Sequence, residues 1–218
     1  MARKVFISFR YKDGNIYKEY LSKLFSYSDT VINCSENQDR SKMSEETIKR
    51  YLYDKLKNTS VTIVLLTPEA VKHQKKYNGF SYEYDDWIYD ELKYSLDDRE
   101  NNRCNGIIAV YTPEAKDLVV DTSSNTDTTI IKDFDNLVRR NMFNIKSSYK
   151  HNSKDGIYDR NLDSYCSLIS WDSFINDFDI YIEIAEKKRE HKEQYDITKR
   201  MWFLILLKVI NIYVLNIL

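Results

Sequence analysis

Apolar and polar positions alternate along the chain in blocks that predict strands and helices in turn. "KVFISF" (4–9) is a short apolar run suited to a strand covered on both faces. After "RYKDG" the period changes: Ile16, Tyr20 and Leu24, then Tyr17, Leu21 and Phe25, repeat every four residues as on a helix. "TVINC" (30–34) predicts a second strand, and the polar "SENQDRSKM" an exposed loop. Ser44 with two following glutamates caps the next predicted helix, whose buried stripe is Ile48, Leu52 and Leu56. "SVTIVLL" (60–66), β-branched and uncharged, is the strongest strand signal.

"TPEA" follows that strand at 67–70 and recurs at 112–115 after the strand "NGIIAVY". Threonine as N-cap, proline at the first helical position and glutamate in the first turn predict a helix start or tight turn at the end of each strand. Between 130 and 160 one helix is predicted, within "TIIKDFDNLVRRNMF". "SYCSLISW" (164–171) predicts a last strand. The closing helix, "DSFINDFDIYIEIAEKKREHKE", carries Phe174, Phe178, Tyr181, Ile182 and Ala185 at spacings of three and four. Alternating strands and helices of this length predict an α/β domain with a doubly wound parallel sheet.

The expected domain spans residues 1–195, and the hydrophobic tail 196–218 stands apart from it. "MWFLILLKVINIYVLNIL" (201–218) would span about 27 Å as a helix, close to a bilayer core. Lys208 near its middle opposes insertion, while the basic flank "KKREHKEQYDITKR" would hold the main domain on the cytoplasmic face. A membrane anchor, a helix packed on the domain and a contact between chains all remain open.

Composition narrows the function. A net charge of −1 disfavours nucleic-acid binding. Cys34, Cys104 and Cys166 are odd in number and lie beside apolar residues, as expected of buried free thiols in a reducing, cytoplasmic setting. His73, His151 and His191 share no ligand spacing, so no metal site is expected. Neither a glycine-rich dinucleotide fingerprint nor a Walker loop occurs.

The stretch "DDWIYDELKYS" (85–95) carries the candidate chemistry. Asp85 or Asp86 would cap a helix, with Ile88 and Leu92 facing the sheet. Trp87 and Glu91, also four apart, form a second stripe about 100° beside the first. Glu91 would then stand at the edge of the core, one turn from an indole. At this spacing alone, a solvated glutamate beside a packed tryptophan is the commoner arrangement.

Three segments in order resemble the TIR domain. "KVFISFRYKDG" resembles its first strand and loop, "NTSVTIVLLTPEA" its S-x-x-x-I-V-L-L-S-P region with Thr67 for serine, and "DDWIYDEL" its W-x-x-x-E helix. With "GIIAVY" these motifs cover residues 3–112. An insertion follows at about 113–160, then a last strand and helix at 164–195, where "SWDSFINDFDIYIEIA" (170–185) resembles the end of the bacterial subfamily that includes Thoeris anti-phage TIR proteins.

The resemblance implies a flavodoxin-like sheet and cleavage of the nicotinamide–ribose bond of NAD+. NAD+ would be a substrate rather than a cofactor, and the product a cyclic ADP-ribose-type signal for a separate effector. It implies Glu91 as the catalytic residue and Trp87 as its aromatic neighbour. Ser8, Phe9, Arg10, Tyr11 and Thr67 would bind substrate, with Arg10 at a phosphate, and Asp39 and Arg40 would belong to a mobile loop. That loop departs from the family pattern in lacking its proline–glycine pair. The alternative it leaves open is a non-catalytic adaptor working through TIR–TIR contacts. Self-association fits either reading.

Overall fold

The computed structural model describes residues 2–35, 45–72, 75–77, 82–84, 87–99, 103–121, 123, 130–132, 134, 136–151 and 158–200. The expected caps Ser44, Asp85 and Asp86, the loop residues Asp39 and Arg40, and the tail 201–218 lie outside them. Among the described residues no helix is long and apolar enough to cross a membrane.

Five parallel strands form the central sheet: β1 (Arg3–Ser8), β2 (Val31–Asn33), β3 (Val61–Leu66), β4 (Gly106–Tyr111) and β5 (Cys166–Ser170). Their order is β2-β1-β3-β4-β5, and every neighbouring pair is parallel. The order turns at β1, where the chain first builds outward to β2 and then crosses to β3. This is the flavodoxin-like, doubly wound arrangement expected. All six residues of β3 and of β4 are buried, which is why both read as uninterrupted apolar runs.

Helices cover both faces. α1 (Tyr11–Ser26) and α4 (Trp171–Glu190) lie on one, packed on Val5, Ile7, Ile63, Leu65, Ile108 and Val110. α2 (Glu45–Leu56) and α3 (Trp87–Leu96) lie on the other. There Phe6 meets Leu52 and Leu56, and Val64 and Leu66 meet Ile88, Leu92 and Leu96. The period of two along each strand assigns alternate residues to opposite faces.

Gly106 opens β4 where α4 crosses the sheet, and a Cβ there would collide with the Ala185 carbonyl. The absent side chain lets helix and strand approach.

Several elements differ from expectation. Of the two rows on α1, Leu21 and Phe25 are core residues, whereas Ile16 and Tyr20 are 72% and 51% exposed. The helix expected within residues 129–143 shrinks to one turn, Leu137–Arg140, capped by the Asn136 side chain. Ile130 and Ile131 instead pair antiparallel with Asp121 and Val120, so β-branched residues take a ribbon over a helix. Cys104 and Cys166 are buried free thiols as expected, but Cys34 is only half-buried.

Candidate functional site

Glu91 lies in the middle of α3 and is only 7% exposed. Its stripe-mate Ser95, one turn on, is fully buried, and the Ser95 hydroxyl lies 2.9 Å from that of Thr62 on β3. α3 runs against the strands, because the Ser95 carbonyl accepts the amide of Asn105 immediately before β4 begins. One helical turn back from Ser95 covers about 6 Å, and two residues along β3 cover about 6.6 Å. Stepping both elements by those amounts sets Glu91 level with Val64.

Val64 pairs in register with Ser8, the last residue of β1, and both side chains point to the α3 face. Ser8 is fully buried, and its hydroxyl has no hydrogen-bond partner among the described residues. A buried carboxylate and a buried, unsatisfied hydroxyl thus lie at one level along the sheet, near the carboxyl ends of β1 and β3. In an open parallel sheet, ligands bind outside those ends, beside the strand where the order turns.

The seam below Glu91 fixes its height. Asn105 donates through Nδ2 to Thr59 at 2.8 Å and to Thr62 at 2.9 Å, and its Oδ1 accepts from Arg99 at 2.6 Å. Arg99 also donates to the Leu56 carbonyl at 2.6 Å, tying the end of α2 to the same network. Thr59, Thr62, Ser95 and Asn105 are all shielded from solvent, so each bond is costly to lose. Sequence reading passed over this seam because lone polar residues inside apolar runs carry no motif.

The remaining expected site residues fall in different places. Phe9 points to the opposite face, against the α1–α4 core, with Lys18 Nζ 6.0 Å from its ring centre. Arg10 holds the N-cap position of α1, and its carbonyl accepts the Gly14 amide at 2.7 Å. Tyr11 is 56% exposed beside Phe9. Trp87 is the first residue of α3.

Thr67 is fully buried. Its hydroxyl donates to Asp13 at 2.8 Å and accepts the Ala70 amide at 3.3 Å, capping the single turn Pro68–Val71 as the sequence predicts. Its polar capacity serves the fold. The second "TPEA" forms a 3₁₀ turn, Pro113–Ala115, with no side-chain cap.

Comparison with known families bears on the same segments. Residues 6–117 match the family described as Thoeris protein ThsB, TIR-like domain. The chain belongs to that family. The matched span runs from β1 through the turn after β4 and so contains Ser8, Thr62, Ser95 and Glu91. Membership agrees with the sheet order and makes the chain a TIR-like protein of the Thoeris anti-phage defence type.

Proposed function

We propose that this TIR-like domain cleaves the bond between nicotinamide and ribose in NAD+, with Glu91 as the catalytic carboxylate. The reading is supported by the burial of Glu91 and by the unsatisfied, buried Ser8 hydroxyl at the same level near the strand ends. Breaking the bond between C1′ and the pyridinium nitrogen sends its electron pair to nicotinamide, which departs neutral. No general acid is needed.

Positive charge grows on the sugar as the bond lengthens, and a fixed carboxylate stabilises it, as in glycoside hydrolysis. Glu91 would also hold the ribose hydroxyls, with Ser8 as a neutral partner. Arg10, at the N-terminus of the sixteen-residue helix α1, would take phosphate oxygens, helped by the amides of the first turn. Trp87 would supply an aromatic wall. Attack on C1′ by water gives ADP-ribose, whereas attack by a nucleophile within the same molecule closes a ring. The latter would provide a signal for a separate effector. Self-association through TIR–TIR contacts would complete or regulate the site.

Incubating the full chain with NAD+ across a range of protein concentrations, with products separated by chromatography, tests this reading. Nicotinamide with ADP-ribose indicates hydrolysis, and nicotinamide with a cyclic isomer indicates cyclisation. Nicotinamide at no concentration, from a chain that self-associates, would favour the adaptor.

A further inference from the structure

A cavity of about 520 Å³ opens on the sheet face opposite Glu91, between α1, the two "TPEA" turns and the start of α4. Three aromatic rings form much of its wall. Tyr17 and Tyr20 meet Trp171 edge-on, with ring centres 4.7 and 5.5 Å away. Two carboxylates, Asp13 and Glu114, line it, and among the described lining residues there is no lysine or arginine. Thr112 also lines it, fully buried, with its hydroxyl beside the Tyr17 and Glu114 side chains.

We propose that this cavity binds a small organic cation with an apolar or aromatic body. Aromatic faces attract a cation through their quadrupoles, and more strongly where water is displaced. The carboxylates supply the opposite charge. The volume suits a small molecule.

Both carboxylates are held in place. Tyr17 OH donates to the two oxygens of Glu114 at 2.8 and 2.7 Å, and Asp13 accepts from Thr67 Oγ1 at 2.8 Å and the Glu69 amide at 3.0 Å. The Tyr17 hydroxyl also keeps the Glu114 carboxyl below its usual range, so its charge persists into mild acid. The exposed faces of Ile16 and Tyr20 sit at the rim, where an apolar body would cover them. Nothing in this site depends on NAD+ chemistry.

Ligand-detected NMR and calorimetric titration of the full chain test the proposal. The probes are choline, benzyltrimethylammonium and 3,3-dimethylbutan-1-ol, the uncharged carbon isostere of choline. The cations should bind and the isostere should not. Glu114→Gln should weaken cation binding about tenfold and Tyr20→Ala about fivefold. Both residues are exposed, so circular dichroism should show unchanged folding. Equal binding of cation and isostere, no cation binding at the solubility limit, or full binding by both variants would each overturn it. So would absent cation binding with self-association abolished by Tyr20→Ala, which assigns the face to a second copy of the chain.

Discussion

The hydroxyls of Thr62 and Ser95 lie 2.9 Å apart where β3 meets α3, and this contact sets how far along the sheet the next turn of α3 places Glu91. Asn105 completes the contact from the neighbouring strand end, so sheet and helix share one buried polar lock. Polar seams of this kind have one satisfied arrangement, whereas apolar packing tolerates small slides.

Ser95→Ala leaves the Thr62 hydroxyl one partner short. The expected cost is about 1–2 kcal/mol of stability in urea denaturation. If Glu91 acts on NAD+, the same change should lower kcat of nicotinamide release more than it alters KM. A change in KM alone would remove Ser95 from any role in placing the carboxylate.

Gly106→Ala tests the packing of α4 on the sheet. Its new methyl meets the Ala185 carbonyl, which is backbone and cannot swing aside. A loss of about 3 kcal/mol is expected from denaturation midpoints. Gly14→Ala, where the nearest atom is Phe9 Cβ at 3.1 Å, should cost visibly less.

Lys188 is buried on α4, and its ammonium donates to the carbonyls of Asn161 and Ser164 and to the Ser167 hydroxyl. Burial lowers its pKa to about 7 from an ordinary 10.5. Between those values the unfolded chain binds the extra proton and the folded chain does not, so this group makes stability rise with pH. Below about pH 7 the full penalty applies. The difference in unfolding free energy between wild type and Lys188→Met should therefore shift in favour of wild type from pH 7 towards pH 10. A difference that stays constant would contradict this.

Asp163 also makes stability rise with pH, but in the acid range and as a contribution gained rather than a penalty relieved. Burial opposes its charge, but the amides of Asp159 and His151 and the His151 ring outweigh that and hold its carboxyl below the usual range. Its contribution is complete above the ordinary aspartate range, about 3.9, and fades as pH falls through the lower folded value. Asp163→Asn should destabilise the domain at pH 6, and that effect should shrink steadily as the pH is lowered below about 4, as followed by thermal melting.

The sheet was legible because each strand is buried on both faces and so reads as an apolar run, β3 and β4 most clearly. Ile88 and Leu92 followed from helical period in the same way, and both are core residues. Period could not tell Leu21 and Phe25 from Ile16 and Tyr20, since both rows repeat every four residues and tyrosine suits core or surface. The insertion misled for a related reason: the Ile130–Ile131 pair fits a strand as well as a helix, and only its partners at Val120 and Asp121 decide. Glu91 stood out through its motif, but Thr62, Ser95 and Asn105 did not, because their function lies in contacts between residues far apart in sequence. The repeated "TPEA" did mark a real place. Its two copies meet at the cavity beside Asp13 and Tyr17.

The most direct measurement compares nicotinamide release from NAD+ by the full chain and by Glu91→Gln under conditions where both self-associate equally. Glutamine keeps the shape of the side chain and removes the charge that would stabilise the developing sugar cation. The account predicts release by wild type and a loss of at least about a hundredfold in Glu91→Gln, with matched thermal unfolding. Equal release by the two proteins would contradict it.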